Sequence, residues 1–267
     1  MTKKLYSIGG GQMAEAIIRA VIKNKVFDKS DITVNDISDA RRTLLENSYG
    51  IATSENLSNE DLAAADIIMI AVRPQDDLSS IAKKIKQSET KAAIVSIVAG
   101  VTIDKLEHLL DIKDVALARI IPNTLTDTGF GYTGASLNDH IEKEQVDAFF
   151  KGFGKVEYIP EELIDTFTGY AVAGPNYVYN FYEDLCNAGV LAGLNRELAN
   201  KLALENLKGA AAMLEQTGKH PSELLDINNS AGGVGINAQY ELDNSDFSAG
   251  IQRAVMAAVR TTKELGK

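Results

Sequence analysis

The sequence predicts an α/β protein in two parts, a parallel-stranded sheet with helices on both faces followed by an all-α C-terminal region. Three observations predict it. Short β-rich runs alternate with helical stretches through the first 120 residues. A run of three glycines follows the first β-rich segment directly, and beyond Pro160 no convincing strand is left. The 267 residues suit two domains better than one.

The elements follow in order. Leu5–Ile8 is a short strand that ends in glycines, and residues 12–24 (QMAEAIIRAVIKN) place apolar side chains at helical spacing. Asp31–Asn35 is a second strand, with a helical stretch over 38–48. Ile67–Val72 is a third strand, followed by a helix over 76–87. Ala93–Ile97 and Val115–Ile121 are the fourth and fifth strands. Residues 129–136 (GFGYTGAS) cover a loop and a strand, 140–152 a helix, and Lys155–Ile159 a last strand. The domain boundary is expected near 158–164, giving domains over 1–160 and 161–267. No fixed-period repeat interrupts this plan.

Composition excludes several classes of function. Apolar residues make up 45% of the chain, enough to bury a core, so extensive disorder is excluded. There are 27 basic residues against 37 acidic ones, a net charge of −10. No basic face for nucleic acid is therefore expected. The lone Cys186 permits no intrachain disulfide. His108, His140 and His220 do not pair at metal-ligand spacing, so no metal site is expected. Apolar runs such as IIMIAV fall short of the ~20 residues of a membrane helix. The N-terminal MTKKLYSIGGGQ lacks the apolar region of a signal peptide, which points to the cytoplasm.

Gly9-Gly10-Gly11-Gln12-Met13-Ala14 fits the G-x-G-x-x-A form of the dinucleotide fingerprint, between a strand and a helix. The first glycine permits a tight turn, the second lets a pyrophosphate approach the backbone, and the small sixth residue lets helix and sheet pack closely. Free N–H groups at the helix start favour the phosphates. Residues 1–160 therefore read as a Rossmann-type domain, with Gly9, Gly11, Gln12 and Met13 as cofactor-binding candidates. At the end of the second strand, Asn35-Asp36 offers a carboxylate to the adenosine ribose. That arrangement repels a 2′-phosphate and favours NAD. Asp36 also suits a helix cap, and Arg41 and Arg42 suit a phosphate. Ala71-Val72-Arg73-Pro74 lies at the carboxyl end of the third strand, where ligands bind in open α/β sheets. Asn56 joins the candidate set, as does Asn123, which also fits a turn.

Taken together, the motifs resemble pyrroline-5-carboxylate reductase. They are GGGQMA, AVRPQ, SIVAG, Ile121-Pro122-Asn123-Thr124, Ala173-Gly174-Pro175-Asn176-Tyr177, Gly218-Lys219-His220-Pro221 and Ser230-Ala231-Gly232-Gly233. They span essentially the whole chain, which closes with the helical segment RTTKELG. The resemblance implies a Rossmann domain, a helical dimerisation domain, and reduction of a five-membered cyclic imine acid to proline with NAD(P)H. It further implies a homodimer, often in a ring of dimers, with the Gly232-Gly233 loop of one subunit facing the nicotinamide held by the other.

The chain departs from the family pattern at two places. The usual S-G-S-G-P-A-Y is here Ala171-Val172-Ala173-Gly174-Pro175-Asn176-Tyr177, and S-P-G-G-T-T is here Ser230-Ala231-Gly232-Gly233-Val234-Gly235. The second threonine, often assigned a hydrogen bond to the imine nitrogen, falls on Gly235. The amides of Gly232, Gly233 and Val234 remain as an anion nest for a carboxylate. Hydride transfer to a protonated imine needs little acid–base machinery, and Thr168, Asn176 and Tyr177 are candidate replacement polar groups. The β-hydroxyacid dehydrogenases share the architecture but need a lysine on the first helix after the boundary. No lysine stands between Glu162 and Glu183. An idle dinucleotide-binding paralogue and a reductase of a related ring remain as alternatives. Finally, residues 167–194 are apolar around most of a helix and call for burial on all sides, which a second copy of the chain would supply.

Overall fold

A computed structural model describes residues 3–265; Met1, Thr2, Gly266 and Lys267, including the last glycine of the expected RTTKELG helix, lie outside the described residues. By packing, the chain forms two compact units. One holds residues up to Val172 together with the chain from Ala258 on, and the other holds Ala173–Ala257.

The first unit is built on one eight-stranded sheet of β1 (Leu5–Ile8), β2 (Ile32–Asn35), β3 (Ala52–Ser54), β4 (Ile67–Ile70), β5 (Ala93–Ser96), β6 (Leu117–Pro122), β7 (Tyr132–Leu137) and β8 (Lys155–Tyr158). Their spatial order is β3-β2-β1-β4-β5-β6-β7-β8. All neighbours are parallel except β6 and β7, which pair antiparallel. Strands β1, β4, β5 and β6 are buried at every position, as strands covered on both faces must be. One face packs α1 (Gln12–Lys23) and α6 (Lys143–Lys151) through Ile17, Val21, Phe149 and Phe150. The other packs α4 (Leu78–Gln87) and α5 (Ile103–Leu110) through Ile85, Leu106 and Leu110. Strand order reverses at β1, whose neighbours are β2 and β4. The crevice at the carboxyl ends of these strands is where such sheets take ligands.

All seven expected strands and all four expected helices of this unit are present. The structure adds three that the sequence reading passed over: β3, α3 (Asn59–Ala64) and α5. β3 is three residues long and only partly buried, so it carries no apolar run. Helix α2 (Asp39–Tyr49) starts at the Ser38 cap and stops at Gly50, whose φ of 66° ends it in the left-handed region.

After β8 the chain crosses back over the sheet. Arg119 on β6 is 3% exposed, and it donates to Glu161 Oε1 at 3.0 Å and to Asp165 Oδ1 at 3.1 Å. These bonds dock the short α7 (Ile164–Phe167). The Phe167 ring fills the space above Gly134, where a Cβ would meet it at 2.7 Å. A π-helical turn, Thr168–Val172, follows, and Tyr132 Oη donates to its Ala171 carbonyl at 2.9 Å. The continuous helix expected over 167–194 is therefore corrected to two segments. The π turn ends one, and α8 (Gly174–Leu191) restarts at Gly174-Pro175, with proline in its first turn.

The second unit is helical throughout: α8, α9 (Arg196–Thr217), α10 (Pro221–Asn228), α11 (Val234–Asp243) and the first part of α12 (Phe247–Leu265). Helices α8 and α9 pack closely on small residues. A Cβ on Gly189 would lie 3.0 Å from that of Ala199, and Cys186, Ala199 and Ala203 are buried. Much of the remaining apolar surface is open. Val178, Tyr179, Leu198, Leu202, Met213 and Leu214 are all exposed. No helix among the described residues is long and apolar enough to cross a membrane.

Candidate active site

The fingerprint turn is held from three sides. Gly9 has φ 101° and its N–H donates to the Asn35 carbonyl at 2.7 Å. The Gly10 N–H donates to Asp36 Oδ2 at 2.8 Å. A Cβ on Gly10 would strike Leu45 Cδ1 at 2.8 Å, so the glycine lets α2 approach the loop. Gly11 is different, because nothing lies within 4 Å of where its Cβ would be. It caps α1 without a side-chain hydrogen bond, leaving the first-turn N–H groups free. Gln12 is exposed in that turn, Met13 packs its side chain on the core, and Ala14 is buried.

Beside this turn lies a cleft of about 690 Å³, in the ~300–1,000 Å³ range of small-molecule sites. Of the cofactor candidates it gathers Gly9, Gly11, Asn35, Asp36, Asn56, Ala71, Val72 and Arg73. Asp36 sits at its edge, with Oδ1 accepting the Ser38 N–H at 2.9 Å while Oδ2 holds Gly10. The carboxylate lines the cleft and ties the loop, but it does not cap the following helix, whose cap is Ser38. The Asn35 side chain turns away to β3, donating to Ser54 O at 3.2 Å. Arg73 pairs with Asp76 at 2.9 Å, and the hydrogen bonds from Arg73 hold the Asp76 carboxyl below its ordinary range.

Three candidates lie off the cleft lining. Gln12 and Met13 belong to the α1 turn above it, and Pro74 is an exposed loop residue. Asn123 is fully buried and closes the β6–β7 turn: its Oδ1 accepts the N–H groups of Leu125 and Tyr132, each at 3.2 Å. Its Nδ2 has no partner among the described residues. Neither Arg41 nor Arg42 lines the cleft. Arg42 donates to Asp36 O at 2.8 Å and pairs with Asp39 at 3.0 Å.

The substrate candidates divide between the units. Thr168, half-buried in the π turn, donates its hydroxyl proton to Ile164 O at 2.7 Å, so only its lone pairs are free to serve a ligand. In the second unit Asn176 is exposed in the first turn of α8. Gly232 has φ 66°, and Gly233 caps α11 without a side-chain bond. The Gly233 N–H is committed to Ser230 O at 2.9 Å, leaving the nest to Gly232 and Val234. Asn237 Nδ2 holds the Gly233 carbonyl at 2.8 Å. At Gly235, where the chain departs from the family pattern, a Cβ would fall 2.4 Å from Asn229 Oδ1. His220 caps α10, its Nδ1 accepting the Ser222 N–H at 3.2 Å.

Comparison with known proteins agrees over the full length. Residues 161–265 match the family model for pyrroline-5-carboxylate reductase dimerisation. Residues 4–100 match the model described as NADP oxidoreductase, coenzyme F420-dependent. A pyrroline-5-carboxylate reductase from Synechocystis sp. is 35% identical over 270 residues, covering 100% of both chains. The chain belongs to the pyrroline-5-carboxylate reductase family. Two solved family members show the same fold. The Plasmodium falciparum pyrroline carboxylate reductase, with NADP bound, has a TM-score of 0.86 and 29% identity, covering 99% of this chain and 98% of that one. The Coxiella burnetii pyrroline-5-carboxylate reductase has a TM-score of 0.87 and 28% identity, covering 100% of both.

In this member of the pyrroline-5-carboxylate reductase family, the cleft also uses residues that the sequence reading missed. Ile37, Leu57 and Ile81 give it an apolar wall, and Glu55, Asp77 and Lys84 add charge. Ile37, directly after Asp36, is a large apolar side chain left 86% exposed, which only the structure reveals. Leu57 follows β3, the strand that went unseen, so its position could not be placed.

Proposed function

We propose that this protein reduces 1-pyrroline-5-carboxylate to proline by hydride transfer from NAD(P)H, with the dinucleotide held in the cleft beside Gly11. One observation carries the reading: the open space over Gly11, next to the unspent first-turn amides of α1. A pyrophosphate needs that backbone approach and that array of donors. The residues therefore fit the cofactor. Gly11, Gln12 and Met13 take the phosphates over the tight turn made by Gly9; Asn35, Asp36 and Asn56 take the adenosine side, and Ala71, Val72, Arg73 and Pro74 the strand end. Asn123 is included for its unpartnered amide at the end of β6.

When bound, the reduced nicotinamide supplies the hydride, and the protein supplies alignment and charge. The amides of Gly232 and Val234, with Gly233 holding the turn, receive the substrate carboxylate. For the imine nitrogen the candidate polar groups are Thr168 in the first unit and Asn176 in the second. Because the Thr168 proton is already given to Ile164 O, its oxygen can only accept, which suits a protonated imine that donates.

Finer points belong to the same proposal. The cleft lining carries four carboxylates, Asp36, Glu55, Asp76 and Asp77, against Arg73 and Lys84. That balance disfavours a 2′-phosphate and supports a weak preference for NADH. The open apolar faces of α8 and α9 support a homodimer, which can build into a ring of dimers. The division at 160/161 is supported by the start of the dimerisation match at residue 161. A cytoplasmic location completes the reading. A kinetic panel of cyclic imine acids with NADH and NADPH tests it. Turnover of 1-pyrroline-5-carboxylate is expected. Dinucleotide binding without turnover of any imine would instead identify an idle paralogue, the outcome that the crowded Gly235 position would then explain.

A further inference from the structure

Arg41 sits behind the fingerprint turn. Its Nε donates to the Gly10 carbonyl, and its Nη2 donates to the Gly11 carbonyl at 3.2 Å and pairs with Glu15. The side chain is 16% exposed and does not line the cleft. Glu15 is anchored in turn, accepting the Tyr49 hydroxyl at 2.6 Å. The guanidinium is therefore fixed on its far side by α1 and α2 and presents its fork to two successive peptide carbonyls.

In a planar trans peptide the C=O of one residue and the N–H of the next point in opposite directions. A group that draws the Gly10 and Gly11 carbonyls to itself therefore aims the N–H groups of Gly11 and Gln12 the other way. Among the described residues Arg41 acts alone on the first peptide and, on the second, together with the Glu15 N–H that the Gly11 carbonyl also accepts at 2.9 Å. The neighbouring amides are already spent, Gly9 on Asn35 O and Gly10 on Asp36. Those of Gly11 and Gln12 stay available to a ligand, next to the other first-turn amides of α1. We infer that Arg41 is a positioning residue for the pyrophosphate site, orienting the two peptides whose amides receive the phosphates. Although an arginine soon after the second strand suits a 2′-phosphate by sequence, here its Nε and Nη2 are committed to the loop and to Glu15. Its effect falls on NADH and NADPH alike.

The inference rests on the dinucleotide reading, and the test separates the two. Binding of NADH, NADPH, ADP-ribose and adenosine is measured by calorimetry, with ligand-observed NMR for adenosine, on wild type, Arg41→Met and Arg41→Lys. Adenosine has no pyrophosphate. Arg41→Met is expected to weaken NADH, NADPH and ADP-ribose together, by about tenfold for one lost charge-assisted contact, and to leave adenosine unchanged. Arg41→Lys should fall between, since an ammonium cannot span both carbonyls as a fork does. Loss confined to NADPH would overturn the inference and make Arg41 a 2′-phosphate ligand. Equal loss for adenosine would overturn it in favour of a general packing role, and unchanged binding of all four would overturn it outright. If wild type bound no dinucleotide, the functional reading itself would fall and take the inference with it.

Discussion

Gly9 approaches Ala71 so closely that a Cβ on Gly9 would lie 2.4 Å from the Ala71 carbonyl oxygen. The contact joins the end of β1 to the end of β4, the two strands at the switch point, and Gly9 also holds φ 101° there. Gly9→Ala therefore meets a backbone atom and a disfavoured conformation at once. We expect it to cost about 3 kcal/mol, the sum of one overpacking and one strain contribution. Urea denaturation checks this, and a loss under about 0.5 kcal/mol, the size of an ordinary surface change, would contradict it.

Gly11, two residues on, should behave in the opposite way. Its φ of −62° is ordinary and nothing lies within 4 Å of its missing Cβ. Gly11→Trp is expected to fold with near wild-type stability and to lose dinucleotide binding, because the ring fills the approach to the α1 amides. Paired melting curves and NADH fluorescence titrations test this. Unchanged affinity in a folded variant would remove the cleft from the functional reading.

These two glycines also mark how far the sequence could be read. The fingerprint, its strand and its helix are contiguous, so local pattern fixes them, and the cleft forms where the pattern places it. Arg41 shows the limit. Its charge and spacing fitted a phosphate ligand, but its donors turn to the carbonyls of Gly10 and Gly11, a choice made by the packing of α2 against α1. Gly235 shows another limit. The sequence revealed a missing side chain, whereas the position of Asn229 Oδ1 in that space, six residues upstream, is visible only in the folded loop. β3 went unseen because three half-exposed residues have no periodicity to detect.

Arg119 supplies a prediction about the chain's return across the sheet. Removing its guanidinium leaves Glu161 and Asp165 facing each other without a cation, and both carboxylates are partly withdrawn from water. Arg119→Met should cost about 2–4 kcal/mol, somewhat below the loss for a fully buried pair, because water still reaches the acids. Adding Glu161→Gln and Asp165→Asn should recover part of that loss. A triple variant no more stable than Arg119→Met would show that packing of the arginine stem, rather than stranded charge, is what the fold uses.

The network on α1 sets an acid dependence. Burial pushes the Glu15 carboxyl up, but hydrogen bonds from Tyr49 and Arg41, with the charges of Arg41 and Arg19, reverse this and hold it below its ordinary value. The hydrogen bond from Arg19 likewise holds Asp127 down. A carboxyl lowered in the fold contributes stability that is complete above its unfolded pKa, about 4, and is lost as pH falls through the folded value. Glu15→Gln should therefore be less stable than wild type at pH 7, by about 1 kcal/mol. The gap should narrow below about pH 4. Urea melts from pH 7 to pH 3 measure the gap, and one that stays constant would mean that Glu15 is not held ionised by the fold.

The apolar surface of the second unit gives the last prediction. Leu198 and Leu202 stand one helical turn apart on α9, 41% and 43% exposed, while Val178 and Tyr179 on α8 are 51% and 58% exposed. This many exposed apolar side chains on a helical unit call for a covering surface, and a second copy of the same helices is the economical one. Leu202→Glu tests the idea cleanly, because the side chain is already open to water in a single chain. The substitution should barely change folding of the isolated chain. At an interface it buries an unpaired carboxylate, which costs several kcal/mol on desolvation. Sedimentation at micromolar concentration is expected to show wild type as a dimer or a multiple of one, and Leu202→Glu displaced toward monomer by at least about tenfold in dissociation constant. A monomeric wild type would sink the proposal. An unaltered Leu202→Glu dimer would move the interface off α9, to whatever other surface the chain uses to meet its copy.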